Sequence, residues 1–209
     1  IGQVYLIQNK PLTKFSKREK YVMKILHPNV KYDIEFFRKF YSIIRYIPQV
    51  NKILNENFKF DIYEFINQFN EQSDFINESN NLLSFKEMYK NNDFIIIPEL
   101  IKCSNSIMIM SYQEGISYDK LEIDKYQKYK IALLLVSFIR NNQQILNLYH
   151  GDMHKGNWKI NLSDDGNHKL IIYDYGFCWK VPTNKKREIN KIKDIFENSD
   201  DSGLKIDID

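Results

Sequence analysis

The hydrophobic positions change period several times along the chain, and each change marks an element. Gln3-Val4-Tyr5-Leu6-Ile7 and Tyr21-Val22-Met23-Lys24-Ile25-Leu26 are β-prone apolar runs joined by a polar, lysine-rich connection. That is the pattern of a hairpin, and Pro28 stops its second strand. Ile34, Phe37, Tyr41 and Ile44 then fall at i, i+3, i+7 and i+10, one face of a helix running to about Tyr46, before Pro48. Two further helical stretches carry Ile62, Phe65, Ile66 and Phe69, and then Phe75, Ser79, Leu82, Leu83 and Lys86. Strand-like runs return at 94–97, which Pro98 ends, and at 106–110, after which Gly115 breaks the chain. A long helix over about 124–148 is expected to be buried, because it carries IALLLVSFI at 131–139. A polar loop at 150–157 follows, then strands at 158–162 and 170–174. The Asp-Gly step between those strands, at Asp165-Gly166, is a hairpin signal.

Beyond Pro182 the chain is charged and thinly apolar, which predicts one helix near 187–196 and then a disordered end. No internal repeat is present. The order of elements is α+β, with a natural cleft between a sheet-bearing half and a helical half.

Composition narrows the partners. At 209 residues the chain can bury a sizeable core, as one large domain or one domain with two lobes. Its formal net charge of +3 comes from interspersed signs without a basic stripe, which argues against a nucleic-acid partner. The run at 131–139 is about half of what a membrane span needs, so no transmembrane segment is expected, and no signal peptide is visible. Cys103 and Cys178 lie far apart and outside any metal-ligand spacing. They read as free thiols of a reducing compartment, cytoplasmic by default.

The chemistry concentrates in His150-Gly151-Asp152-Met153-His154-Lys155-Gly156-Asn157 and in Asp174-Tyr175-Gly176. Asp152 is followed five positions later by Asn157, each piece stands beside a predicted strand, and together they fit phosphoryl transfer. An Asp near a γ-phosphate can orient or deprotonate an attacking hydroxyl. An Asn amide oxygen and a second carboxylate, Asn157 and Asp174, are hard oxygen ligands for Mg²⁺. Gly176 is expected to supply the sharp turn that aims the Asp174 carboxylate into the cleft. A zinc reading of His150, Asp152 and His154 is weaker, because Gly151 and Gly156 argue for a loop and no third ligand is suitably spaced. His150 then pins the loop, and His154 is either polar filler or a phosphate neighbour. Lys24, central in YVMKIL, is either an edge lysine with its ammonium in water or the strand lysine that contacts the α- and β-phosphates. In the second case a helix carboxylate must hold it, and spacing alone leaves Glu64, Glu71, Glu78 and Glu87 open.

These residues resemble the UbiB/ADCK family of atypical kinases over residue 1 to about Val181. Ile1-Gly2-Gln3-Val4-Tyr5 resembles the end of that family's alanine-rich nucleotide loop. Val22-Met23-Lys24-Ile25-Leu26-His27-Pro28-Asn29-Val30 resembles V-A-V-K-V-Q-x-P-G-V, with Lys24 on the phosphate-contacting lysine. Asp74-Phe75-Ile76-Asn77-Glu78-Ser79-Asn80-Asn81 resembles D-Y-x-x-E-A-x-N and selects Glu78 as the lysine's partner. Ile97-Pro98-Glu99 matches V-P-x-V, and the stretch from Ile107 to Gly115 matches the hinge that holds adenine, which implicates Met110, Ser111 and Tyr112. The loop matches H-x-D-x-H-P-G-N, and Asp174-Tyr175-Gly176 stands for D-F-G. The departures are Ser111 for the hinge glutamate, Gln72-Ser73-Asp74 for E-x-D, and Lys155 for the proline of the loop. The alanine-rich segment and the K-x-G-Q extension do not appear. The chain also ends about thirty residues after Asp174, where the family continues with more helices, so the expectation is either a fragment, truncated at both ends, or a reduced helical lobe.

The resemblance implies a bilobal protein-kinase-like fold. A small sheet-bearing N-lobe over 1–115 would carry Lys24, the partner helix and the hinge. A helical C-lobe over 116–185 would carry the loop and the metal-binding hairpin, and 186–209 would form a charged tail. It implies ATP with Mg²⁺ or Mn²⁺ as cofactors, Gly2, Gln3 and Val4 over the nucleotide, and Lys24, Glu78 and Asp152 as the catalytic set. The phosphoryl acceptor is unknown, with lipid or quinone metabolism implied by the family alone. Two rivals remain: a nucleotide-responsive module without turnover, and a small-molecule phosphotransferase of the aminoglycoside/choline kinase type, whose loop reads H-G-D-x-H-x-x-N. An interaction scaffold with a vestigial pocket fits least, since every charged core position is present.

Overall fold

The computed structural model describes residues 2–9, 18–50, 52, 61–163 and 167–180. The helix expected near 187–196 and the tail lie outside the described residues. The N-terminal hairpin pairs β1 (Gly2–Gln8) with β2 (Lys20–Leu26) antiparallel, with Val4 opposite Lys24. β2 pairs in turn with β5 (Ile107–Ser111), and β5 with β4 (Leu100–Cys103), giving the sheet order β1-β2-β5-β4. Lys24 therefore sits on an inner strand, opposite Met108, and not at an edge.

Helix α1 (Val30–Ile44) follows β2 and buries Ile34, while Phe37 of the expected apolar face stays exposed with Phe36 and Phe40. Helix α2 (Ile62–Gln72) and helix α3 (Phe75–Met88) come next. Both start on an aspartate. Asp61 accepts hydrogen bonds from the Tyr63 and Glu64 amides, and Asp74 from those of Ile76 and Asn77. Each side chain thus satisfies donors that the first helical turn leaves open. α3 buries Phe75, Glu78, Ser79, Leu82 and Phe85. Among the described residues it is the one helix with a buried carboxylate on its packed face.

The short strand β3 (Ile95–Ile96) pairs parallel to β8 (Lys169–Ile172), and β8 pairs antiparallel to β7 (Trp158–Asn161). A strand from the N-terminal half is thereby built into the sheet that supports the loop. Helix α4 (Lys125–Asn141) is shorter than the sequence suggests. It passes into a π-helical turn at Asn142–Leu146, and left-handed Asn147 (φ 54°) ends it before β6 (Leu148–His150). β6 pairs with β9 (Cys178–Lys180), an unexpected two-stranded sheet that ties the two sides of the loop together. The expectation that α4 is buried is corrected: Ile131 and Phe138 are buried, but Leu133 and Val136 are exposed. The apolar run exceeds what one helix face can bury against β8, so half of it faces outward.

One core runs through both halves. Leu26, Met108 and Met110 from the first sheet, Phe75, Leu82 and Phe85 from α3, Phe138 from α4 and Ile160, Leu170 and Ile172 from the second sheet belong to the same cluster.

Candidate active site

Lys24 leaves β2 toward α3. Its ammonium donates a hydrogen bond to Glu78 Oε1 and lies 3.5 Å from Asp174 Oδ2. Glu78 is almost fully enclosed, at 2% exposure, and Lys24 nearly so at 13%. Burial alone would lower the Lys24 pKa, but the carboxylates of Glu78 and Asp174 outweigh it and hold the ammonium above the ordinary lysine value. For Glu78 burial is the largest influence and raises the carboxyl, against the pull of Lys24. Asp174 goes the other way. Burial opposes ionisation there too, but Lys24 and the Gly176 amide bring its carboxyl below the usual value.

The turn at Asp174 differs from the expectation placed on Gly176. Asp174 itself takes the left-handed backbone, at φ 57°. That conformation costs an L-residue about 1–2 kcal/mol, so its neighbours must hold it there. Gly176 supplies room instead: a Cβ there would stand 3.3 Å from Asp174 Oδ1 and 3.4 Å from the Gln72 carbonyl oxygen. The Gly176 amide donates to Asp174 Oδ1 at 3.2 Å, and the Tyr175 amide donates to Glu78 Oε1 at 3.3 Å.

The loop is fixed from below. His150 Nε2 lies 3.2 Å from the Tyr173 carbonyl oxygen, and the Asp152 amide donates to Nδ1 at 3.3 Å. Because Nδ1 accepts, the arrangement suits a neutral ring with its proton on Nε2, and burial pushes the His150 pKa down in the same sense. It meets the rings of Phe85, Phe138 and Tyr175. His154 Nδ1 accepts from the Gly156 amide at 2.9 Å, while its Nε2 lies 3.6 Å from Asp152 Oδ2. Asn157 donates through Nδ2 to the Asp152 carbonyl at 2.9 Å and to Asp152 Oδ2 at 3.0 Å. That orientation spends the amide nitrogen on Asp152 and leaves the amide oxygen for a cation.

A cavity of about 280 Å³ opens between the halves, lined by Gly2, Gln3, Val4, Lys24, Glu78, Asp152 and Asp174, with Gln72, Phe75 and Phe177 completing the wall. The structure thus gathers most of the sequence-derived set in one crevice. Four residues stand apart from it. Met110 is in the core, at 1% exposure. The Ser111 hydroxyl accepts from the Glu99 amide and from Gln113 Nε2, both at 2.8 Å, and the Tyr112 amide donates to the Lys20 carbonyl at 3.1 Å. Asn157 reaches the cavity only through Asp152. The stretch from Ile107 to Gly115 does connect to the site from behind, since the Tyr173 hydroxyl donates to the Gln113 carbonyl oxygen at 3.0 Å.

Sequence reasoning gave no role to Gln72, Phe75 and Phe177, or to Asn81, which touches the Asp174 turn from α3. The signal for Asn81 was its i, i+3 spacing from Glu78. Asp74, the last member of Gln72-Ser73-Asp74, caps α3 and does not line the cavity.

The donors fit a small hard cation only in part on their own. Asp174 and Asn157 offer one carboxylate and one amide oxygen, and no cluster of three His, Cys, Asp or Glu side chains suited to a metal occurs among the described residues. Mg²⁺ suits such a sparse set, because it takes one or two carboxylates and completes its shell with phosphate oxygens and water. Among the described residues no helix is long and apolar enough to cross a membrane.

Comparison with known proteins agrees with this geometry. A curated relative, the probable serine/threonine-protein kinase abkC of Dictyostelium discoideum, is 28% identical over 159 residues, covering 74% of this chain and 23% of its own. A probable protein kinase UbiB of Blochmanniella pennsylvanica is 29% identical over 178 residues, covering 79% of this chain and 31% of its own. The chain thus spans about a quarter to a third of the length of these relatives. Among solved structures, the Rv3197–erythromycin complex of Mycobacterium tuberculosis superposes with a TM-score of 0.62 at 21% identity, over 88% of this chain and 44% of that one, a likeness of fold. The family described as the ABC1 atypical kinase-like domain matches residues 1–206. That match decides against the aminoglycoside/choline kinase resemblance, and the chain belongs to the ABC1, or UbiB/ADCK, family of atypical kinase-like proteins.

Proposed function

We propose that the chain binds ATP with Mg²⁺ or Mn²⁺ and transfers or hydrolyses the γ-phosphoryl group. The observation that carries this reading is the convergence of Lys24, Glu78, Asp152 and Asp174 on one cavity from four separate elements. Lys24, held by Glu78, would contact the α- and β-phosphates. Gly2, Gln3 and Val4 would cover the nucleotide, with Met110, Ser111 and Tyr112 as the adenine hinge. Asp174 and Asn157 would hold the cation, which supplies charge neutralisation on the phosphates when bound. Asp152 would orient the attacking oxygen and accept its proton. Little of this is covalent chemistry, so positioning and fixed charge carry the acceleration. We infer a lipid- or quinone-linked acceptor from the family, without a residue of this chain assigned to it.

A nucleotide-responsive module without turnover is the second reading. One observation favours it: Gln72, which lines the cavity, is uncharged where the family carries a glutamate. Its occupants would still be nucleotide and metal.

The test is a thermal-shift and titration series with ATP, with and without Mg²⁺, on the chain and its Asp174→Asn variant. Ligand at a hundred times Kd should stabilise the chain by about 2.7 kcal/mol. The Mg²⁺-dependent part of that gain should vanish in the variant. A chain that gives no shift with any nucleotide, with or without Mg²⁺ or Mn²⁺, is not a nucleotide-binding protein.

A further inference from the structure

Helix α3 touches the Asp174 turn at two points, and only one of them belongs to the lysine partner. The Glu78 carboxylate accepts the Tyr175 amide at 3.3 Å. One turn later, Asn81 Nδ2 donates to the Tyr175 carbonyl oxygen at 3.0 Å. Glu78 and Asn81 are three apart, so they leave the same helix face. The two contacts engage successive peptide units, the one before Tyr175 and the one after it. We propose that Asn81 is a positioning residue of the nucleotide site: with Glu78 it clamps both peptide units that flank Tyr175, and so fixes Asp174 opposite Lys24.

Three observations make the clamp consequential. Asp174 holds a left-handed backbone at φ 57°, which it would leave if its flanking peptides were free. On its far side the Gly176 amide bonds back to Asp174 Oδ1 itself at 3.2 Å, and the main chain is next held from outside the turn at Phe177, whose carbonyl oxygen accepts the Gly151 amide at 2.8 Å. The Tyr175 ring is fully buried, with its hydroxyl donating to the Ile172 carbonyl oxygen at 3.0 Å, so a carbonyl released by loss of Asn81 would point into the interior without water at hand. The same helix therefore holds Lys24 through Glu78 and holds Asp174 through Glu78 and Asn81. Displacement of α3 would lose the phosphate-contacting cation and the cation-binding carboxylate together.

A purely structural asparagine would stabilise the fold without touching ligand preference. The clamp makes a narrower demand: it changes the part of nucleotide affinity that passes through Asp174. This consequence rests on the nucleotide reading above, whereas the clamp does not. Two substitutions separate the cases. Asn81→Asp keeps the shape and replaces the donor by an acceptor, and Asn81→Leu keeps the volume and removes the polarity.

On the 209-residue chain without nucleotide, amide hydrogen exchange at Tyr175 and Gly176 should be about tenfold faster in either variant, the factor one net hydrogen bond is worth. Exchange at Ile171 and Ile172 should stay as in the wild type. ATP titration should show the Mg²⁺-dependent gain in affinity reduced about tenfold, with metal-free ATP affinity unchanged. Wild-type exchange rates at Tyr175 and Gly176 in both variants would overturn the clamp. So would an affinity loss of equal size with and without Mg²⁺. If the wild-type chain itself shows no Mg²⁺-dependent ATP affinity, the nucleotide reading fails, and the amide exchange still decides the clamp.

Discussion

Asp174 Oδ2 stands 3.5 Å from Lys24 Nζ, although the two residues enter the cleft from β2 and from the segment after β8. The sheet places Lys24 on an inner strand, and α3 supplies the second carboxylate, Glu78, that makes its burial tolerable. One ammonium therefore answers two carboxylates, one enclosed and one, Asp174, half exposed to the cleft.

Lys24→Met should be strongly destabilising, because it leaves the enclosed Glu78 without a cation. Breaking a buried pair from one side costs about 3–5 kcal/mol. Glu78→Gln should cost less, since Lys24 keeps Asp174. The double variant Lys24→Met/Glu78→Leu should recover much of the single-variant loss. Urea denaturation of the three variants measures this. A Lys24→Met loss below about 1 kcal/mol would show that the pair is solvated.

Stability should rise with pH through a window that begins at the ordinary histidine value of 6.5 and extends below it. Burial lowers the His150 pKa, and its Nδ1 already accepts the Asp152 amide. Between the lower folded value and 6.5 the unfolded chain binds more protons than the folded one. Acid therefore favours unfolding across that window, and above 6.5 the effect is absent. Denaturant midpoints measured across it should show the slope, and His150→Asn should flatten it. An unchanged slope in the variant would assign the effect to other groups.

Asp74→Ala should remove about 1 kcal/mol through loss of the α3 cap, and Asp74→Asn should retain most of it. The effect should also reach the site, because Glu78 lies in the first turn of that helix. Fraying there is measurable as faster amide exchange at Ile76 and Asn77, whose amides donate to Asp74. Equal protection in the alanine variant would mean that the cap is redundant.

Asp152→Asn should lower ATP turnover by about 10²–10⁴-fold while leaving nucleotide affinity near wild type, as expected for loss of a base or positioner. Hydrolysis or phosphoryl transfer measured beside binding decides it. A wild type and variant with the same blank rate, both binding ATP, would leave the module reading in place and remove the enzyme.

The sequence made the site's constellation legible, but for two kinds of reason. The loop from His150 to Asn157 and Asp174-Tyr175-Gly176 point to phosphate chemistry by residue type and spacing, whereas Lys24 on its own reads equally as an edge lysine. Glu78 was selected by family resemblance, since four glutamates fit the spacing equally well. The fold was less legible where pairing is non-local. β4 is a four-residue strand with an irregular register, and β6 and β9 are three residues each, too short to show a period. The end of α4 was hidden because the chain continues through a π turn and a left-handed asparagine, with neither glycine nor proline to mark the stop. The left-handed Asp174 was hidden by the glycine two residues later, which invited the turn to be placed there.

Tyr175 occupies the position where a kinase-like loop usually carries phenylalanine, and its hydroxyl gives that ring an anchor. The ring meets those of Phe85 and His150, and the hydroxyl is bonded to the Ile172 carbonyl oxygen. Swinging the segment outward would drag a phenol out of a dry socket and strand a main-chain oxygen behind it. The resting molecule therefore holds this segment in one finished arrangement, and any compound that needs the loop everted would have to do that work itself.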